Sequence, residues 1–94
     1  MTESKIKIEK PEQEKLDKLG FRSWPTLEKE VCRIDWVFDS TEESYFLEGR
    51  VIVETEGGQR VEVKKGDLAV FPKGLKCTWF IKEPMRKHFN ILED

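Results

Sequence analysis

Polar and apolar residues alternate along most of this chain with a period of two, the pattern of β-strands that bury one face. The N-terminal stretch SKIKIEK shows it, with Ile6 and Ile8 on one side. After residue 24, β-branched and aromatic residues recur in short runs separated by turn residues. These runs predict strands near residues 27–31, 33–38, 43–48, 50–56, 59–64, 68–71, 76–82 and 86–92.

Glycine and proline residues mark the predicted turns. The stretch RVIVETEGGQRVEVKK has two alternating arms joined by Gly57-Gly58, a pair typical of tight hairpin turns. Lys65-Gly66-Asp67 and Pro72-Lys73-Gly74 supply two further turns. Short strands joined by turns, with no helices between them, predict an antiparallel sandwich or barrel rather than a βαβ sheet.

One segment departs from the strand pattern. PEQEKLDKLG contains good helix formers, with Pro11 in a first-turn position and Gly20 as a stop, and it predicts a short helix. Leu16 and Leu19 mark its narrow apolar side. We therefore predict one domain over residues 1–94, in which a strand and a helix (1–23) precede a barrel (24–94) that ends at the charged tail Glu93-Asp94.

Length and charge narrow the functional classes. The 94 residues carry 17 basic and 19 acidic side chains spread along the chain, so we expect no nucleic-acid partner. The charged start Met1–Lys10 does not resemble a signal peptide, and no apolar run approaches ~18 residues, so we expect no membrane association and a cytoplasmic location. Cys32 and Cys77 are then expected to be reduced thiols.

The spacing of several turn residues points to a known family. Glu42 is followed after six residues by Gly49, and Gly66, Pro72 and Gly74 fit the pattern G-x5-P-x-G. This spacing resembles the two motifs of the cupin superfamily, which are small jelly-roll barrels. The stretches DWVFDSTEESYFLEG and KKGDLAVFPKGLKCTWFIKEPMRKHF resemble, more narrowly, single-domain cupins related to the cupin domain of ureidoglycine aminohydrolase. The resemblance spans roughly residues 24 to 92.

The resemblance implies an all-β fold, the cupin double-stranded β-helix or jelly-roll barrel, preceded here by the short helix. It also implies a homodimer formed through strand edges. At the positions where the family has its metal-binding histidines this chain has Trp36, Phe38 and Cys77, and Ile81 stands where the family has asparagine. Only Glu42 keeps the identity of a family metal ligand.

A cupin metal such as Mn, Zn, Ni or Fe requires three or four convergent ligands. The chain has one histidine, His88, so a set built on Glu42 and Cys77 would need His88, Asp39 or Glu43 as its third member. We therefore expect no cofactor, and the alternative is a divalent metal held by Glu42, Cys77 and His88.

If the family register holds, the barrel mouth is lined by aromatic rings. Side chains two apart in a strand share a face, so Trp36 and Phe38 should point the same way, as should Cys77 and Trp79. Together with Glu42 they form the predicted ligand-binding set. The alternative is that these rings simply fill the interior, as side chains do in small barrels.

Glu42 and Cys77 are the candidate catalytic residues. A carboxylate desolvated by aromatic rings can act as a general acid or base, but Glu42 could instead be ionised and paired with Lys76 or Arg86. Cys77 could be a nucleophile if its pKa is lowered, a soft metal ligand or a small buried filler. His88 could equally be an ordinary hydrogen-bonded strand residue.

The sequence thus predicts a protein that binds, and could slowly convert, a small organic molecule in an aromatic pocket. The alternative implied by the resemblance is a metal-dependent hydrolase or aminohydrolase that acts on a ureido-type small molecule. A third class, a structural or interaction module, would have a filled interior and an exposed apolar patch.

Overall fold

The structure, a computed structural model, describes residues 5–92 and consists mainly of antiparallel strands. A helix, α1 (Gln13–Leu19), and a 3-10 turn (Phe21–Ser23) follow the first strand. The strands are β1 (Lys7–Glu9), β2 (Thr26–Lys29), β3 (Cys32–Val37), β4 (Thr41–Thr55), β5 (Arg60–Lys64), β6 (Leu68–Phe71) and β7 (Lys76–Leu92). The predicted tail Glu93-Asp94 lies outside the described residues.

Two long strands organise the sheet. The strand order is β1-β6-β4-β7-β2, and β3 also pairs with β7 while β5 also pairs with β4. The first part of β4 pairs with β6 and its second part with β5, whereas β7 pairs first with β3 and then with β2. Because each long strand changes partner along its length, the sheet folds over itself. This confirms the predicted all-β jelly roll with a short N-terminal helix.

The N-terminal segment follows its sequence signals closely. Helix α1 ends at Gly20, and Leu16 on its inner side is buried. Phe21 is also buried, and its ring lies 4.6 Å from the ring of Tyr45, measured between centroids. The aromatic contact fastens this segment to the sheet.

The prediction that strands break near residues 49 and 83–85 was wrong. Residues 43–48 and 50–56 belong to the single strand β4, and residues 76–82 and 86–92 to the single strand β7. The pairing of β4 with β7 shifts register around Gly49, where φ is +95°. Glycine and proline in strands mark bulges and bends as well as ends, and here they bend two continuous strands.

The core lies between the two layers that form where the sheet folds over itself, and it is rich in aromatic rings. Phe38 and Phe71 stack with their centroids 4.9 Å apart and their planes 2° apart, and Trp79 lies 5.3 Å from Phe71. Phe46 and Phe71 are fully buried. Aromatic rings therefore fill much of the interior, which is the alternative to a ring-lined pocket that the sequence analysis left open.

Strands β2 and β3 form an exposed wall. Every residue of β2 is exposed, and β3 has Ile34 as its only half-buried residue. Large apolar side chains remain exposed on and between these strands, at Leu27, Val31, Trp36 and Val37.

The homodimer expected from the resemblance stays a prediction, as does the cytoplasmic location. Within residues 5–92, no helix has the length and apolar character needed to cross a bilayer.

We predict that Gly49→Ala destabilises the protein far more than the matched variant Gly58→Ala. Both glycines have φ near +95°, but a Cβ at Gly49 would lie 2.5 Å from the Pro84 backbone oxygen, whereas one at Gly58 would meet no atom within 4 Å. Backbone strain alone costs about 1–2 kcal/mol, and the clash should raise the loss at Gly49 to about 3 kcal/mol or more. Chemical denaturation of both variants measures the loss of stability. Equal losses would contradict the close approach of the β4 backbone at Gly49 to the β7 backbone at Pro84.

Candidate functional site

A cavity of about 170 Å³ lies between the exposed wall and the inner face of the long strands. Its walls are mostly apolar, and three charged side chains reach it. The lining residues come from β2, β3, β4, β7 and the residue after β3: Leu27, Lys29, Ile34, Trp36, Phe38, Glu42, Trp79, Met85 and Lys87.

Four of the five predicted ligand-binding residues line this cavity. Phe38 and Trp79 are buried at its base, and Trp36 packs edge-on against Phe38 with centroids 6.3 Å apart. Trp36 is 52% exposed, however, so it forms the rim rather than the interior. It sits near the end of β3, whose only partner strand among the described residues is β7, so one side of its ring stays open to solvent. Cys77 does not line the cavity.

The base of the cavity holds a buried ion pair that the sequence analysis missed. Lys87 Nζ lies 2.7 Å from Glu42 Oε2, and the side chains are 3% and 11% exposed. Lys87 also donates to Ser44 Oγ at 3.0 Å, and the Ser44 hydroxyl donates to Glu42 Oε2 at 2.8 Å. Lysine, glutamate and serine thus form a closed hydrogen-bonded triangle.

Strand geometry explains how these residues meet. Glu42, Ser44 and Phe46 share the inner face of β4, and Lys87 on β7 lies directly opposite Phe46. The four-carbon lysine stem then reaches along β4 to Ser44 and Glu42. A sequence signal for Lys87 existed, because odd-numbered residues of β7 are buried from Cys77 through Ile81 and again at Met85 and Lys87. The predicted break between two strands hid this alternation.

The surroundings of Lys87 act on its charge in opposite directions. Burial lowers the pKa of Lys87 below its ordinary value, and the Glu42 carboxylate partly opposes that shift. The rings of Trp79, Phe71 and Phe46 also favour the ammonium, with Nζ 4.7 to 5.7 Å from their centroids. The lysine is therefore a desolvated cation that one carboxylate and several aromatic faces hold in place.

Glu42 forms an ion pair, as one of the two sequence-based hypotheses predicted, but its partner is neither Lys76 nor Arg86. Its partner is Lys87, whereas Arg86 bonds Glu48 on the outer surface and Lys76 is exposed. The reason is parity, since residues 86 and 87 of one strand face opposite sides of the sheet.

Cys77 is a buried thiol beside the site. It is 6% exposed, and its sulfur donates a long hydrogen bond of 3.7 Å to the Trp36 carbonyl oxygen. Burial raises the pKa of Cys77, while the nearby Trp79 indole and Lys87 lower it less strongly. The Trp79 N–H still makes no hydrogen bond of acceptable geometry, consistent with sulfur being a weak acceptor. At neutral pH Cys77 is therefore a protonated thiol, which is a poor nucleophile.

The residues present do not form the alternative metal site of Glu42, Cys77 and His88. His88 Nδ1 lies 2.9 Å from the Trp24 carbonyl oxygen, and its ring packs on Phe21, on the strand face opposite Lys87. Within residues 5–92 no three His, Cys, Asp or Glu side chains converge in a way that could hold a metal ion. The carboxylate that keeps the family identity binds an ammonium group instead.

We predict that Glu42→Gln lowers the free energy of unfolding by about 3 kcal/mol at pH 7, because it leaves a buried lysine without its counter-ion. Without the carboxylate, the lysine pKa should fall further. Between that lowered pKa and about pH 10.4 the folded state binds fewer protons than the unfolded state, so stability rises with pH in this range. The loss should therefore shrink toward pH 10. Denaturation curves at both pH values test this. Glu43→Gln, at a half-buried position on the other face of β4, is the control and should change stability little.

The two cysteines should differ sharply in reactivity. Cys32 is exposed and Cys77 is buried with a raised pKa, so iodoacetamide at pH 8 should modify Cys77 at least about tenfold more slowly. Mass spectrometry of the native protein and of Cys32→Ser measures the rates, with denatured protein as the control in which both sites react. Rapid native labelling of Cys77 would restore it as a candidate nucleophile.

Several solved structures are similar to this chain. A DUF861 family protein from Thermotoga maritima is 51% identical, with a TM-score of 0.93, over 94% of this chain and 100% of that protein's chain. EutQ from Clostridium difficile is 23% identical, with a TM-score of 0.62, over 68% of this chain and 50% of that chain. A DUF861 family protein of unknown function from Pseudomonas syringae pv. tomato is 24% identical, with a TM-score of 0.64, over 71% of this chain and 29% of that chain. The last two likenesses show the fold alone.

No curated protein sequence matches the chain significantly. The sequence model of the EutQ-like cupin domain, in contrast, matches residues 16–89, which include every residue of the lysine–glutamate–serine triangle. The cupin fold expected from the spacing of Glu42, Gly49, Gly66 and Pro72 is therefore confirmed, and this chain belongs to the EutQ-like cupin domain family.

Proposed function

We propose that this protein binds a small organic molecule in the cavity beneath Trp36, with an acceptor oxygen of the ligand directed at Lys87. The observation that carries the proposal is a charged amine at the base of an apolar cavity. Ligand sites typically combine apolar walls with a few convergent polar groups, and this cavity has that composition.

The dimensions of the cavity limit the ligand to about one ring. An apolar cavity of about 150 Å³ accommodates benzene, whereas pockets for larger ligands run to about 300 Å³ and above. At about 170 Å³ this cavity belongs with the smaller class. A ring or branched alkyl group would pack against Trp36, Phe38 and Met85, which leaves its polar end toward Lys87.

The alternative function, a metal-dependent hydrolase or aminohydrolase that acts on a ureido compound, has less support than ligand binding. It rests on the resemblance of the motifs to the cupin domain of ureidoglycine aminohydrolase. The donor set found here does not fit a metal, because Lys87 and Ser44 both donate to Oε2 of Glu42 and His88 faces away. Elemental analysis of protein purified without added metal discriminates the two, since stoichiometric Mn, Zn, Ni or Fe would favour the hydrolase.

Binding can be followed through the tryptophan fluorescence of the protein. Titration with benzyl alcohol and with benzoate should change the emission of the wild type, because Trp36 and Trp79 line the cavity. Trp36→Phe should remove most of the change, since Trp36 is the ring at the open rim. Trp24→Phe is the matched control and should keep the response, because Trp24 does not line the cavity. An unchanged response in Trp36→Phe would contradict ligand binding at this place.

A further inference from the structure

We propose that Lys87 is a nucleophile that condenses with the carbonyl group of a small aldehyde or ketone bound in the cavity, and that Glu42 is its proton-transfer partner. The product is a protonated imine between the ligand carbon and Lys87 Nζ. This proposal rests on the proposed function, because it requires a ligand in the same cavity.

The position of the amine supports this chemistry. Lys87 lines the cavity although its side chain is only 3% exposed, so a ligand there would lie against a lysine that bulk water scarcely reaches. Among residues 5–92, Lys87 is the one buried lysine. Apolar surroundings protect an imine from hydrolysis, and a lysine in a hydrophobic site is a recognised nucleophile toward carbonyl compounds.

The hydrogen-bonded triangle supplies the proton transfers. An ammonium nitrogen cannot attack, because it has no free electron pair. Glu42 lies 2.7 Å from Nζ and can accept one of its protons directly. That transfer converts a buried ion pair into two neutral groups, so it creates no new desolvated charge. Burial, which lowers the pKa of Lys87, favours the same direction.

The step balances in atoms and charge. Glu42 takes a proton from the Lys87 ammonium, and the nitrogen electron pair then attacks the carbonyl carbon while the C=O π pair moves to oxygen. A proton released by the nitrogen neutralises that oxygen, which gives a carbinolamine. Glu42 returns its proton to the hydroxyl group, which leaves as water while the nitrogen pair forms the C=N bond. The protonated imine keeps one positive charge beside the Glu42 carboxylate, as in the starting pair.

The two other nucleophilic side chains near the cavity, Cys77 and Ser44, do not compete with Lys87. Cys77 lies outside the cavity lining, and its raised pKa keeps it protonated. Ser44 is fully buried and bonded to both Glu42 and Lys87, so it serves to position them. The geometry thus assigns the covalent step to the lysine.

Reductive trapping tests the proposal in the intact protein. The wild type is incubated at pH 7 with benzaldehyde and sodium cyanoborohydride, which reduces an imine to a stable benzylamine, and peptide mapping locates the benzyl groups. Burial lowers the pKa of Lys87 and so raises its unprotonated fraction, and the cavity would hold the aldehyde beside this side chain, which speeds a reaction relative to one in free solution. We therefore expect Lys87 to be labelled at least about tenfold faster than the exposed Lys73 and Lys82, which serve as internal controls. Labelling of exposed lysines alone would overturn the proposal.

Two variants separate the roles of the partners. Lys87→Arg keeps a cation beside Glu42 but cannot form an imine, so the labelled peptide should disappear while labelling of Lys73 is unchanged. Glu42→Gln removes the proton acceptor, a loss worth about 10²–10⁴-fold, and this should outweigh the larger unprotonated fraction that the lower lysine pKa of the variant brings. Labelling at Lys87 should therefore still slow by about tenfold or more. Circular dichroism confirms that each variant is folded. Undiminished labelling of folded Glu42→Gln would overturn the assigned role of Glu42.

Benzyl alcohol distinguishes failure of this proposal from failure of ligand binding. It has the same ring without the carbonyl group, so it should occupy the cavity and slow the labelling of Lys87 but not of Lys73. If benzyl alcohol changes the tryptophan emission and benzaldehyde still fails to label Lys87, the cavity binds ligands and the covalent step is wrong. If neither compound acts, both proposals are overturned.

Discussion

The lysine–glutamate pair between β4 and β7 is the interaction around which the interior is arranged. Removing two charges from water costs several kcal/mol for each ion, and such a pair is tolerated only with good geometry and further hydrogen bonds. Here Ser44 adds a hydrogen bond to each group, and aromatic faces surround the ammonium. A protein that needed only stability could fill the same space with apolar side chains. The retention of a charged pair beside a cavity is therefore the strongest indication of function in the molecule.

That pair depends in turn on how the two long strands, β4 and β7, pair around Gly49. The buried face of β4 consists of even-numbered residues before Gly49, such as Glu42 and Phe46, and of odd-numbered residues after it, such as Val51. The register shifts around Gly49 accompany this change, while β7 buries odd-numbered residues on both sides of its exposed residues 82–84, at Cys77, Trp79 and Ile81 and again at Met85 and Lys87. These register shifts thus allow a single pair of strands to line both the packed core and the cavity base.

The same geometry explains why the motif residues of the family have a different chemistry here. Glu42 keeps a carboxylate at the position that the resemblance assigns to a metal ligand, and an amine from the next strand supplies the positive charge. A lysine ammonium is a point charge with exchangeable protons, whereas a metal ion polarises several ligands at once. This difference is the chemical basis of the proposed proton transfer and imine formation, which need one amine and one carboxylate rather than multidentate coordination.

The sequence by itself determined the local features of this protein. Period-two alternation, turn residues and the proline-to-glycine bounds of α1 are short-range signals, and they predicted the strands, the hairpin and the helix because neighbouring residues enforce them. The resemblance to the cupin family, carried by the spacing of the motif residues, implied in addition that Phe38, Glu42 and Trp79 meet at one interior site.

Only the tertiary structure decided which cation reaches Glu42, that Trp36 forms the rim, and that Cys77 and His88 lie outside the cavity. Those outcomes depend on the register between strands distant in sequence and on where a strand bends instead of ending. A periodicity of two fixes which residues share a face, but it does not state which face is buried or what lies across from it.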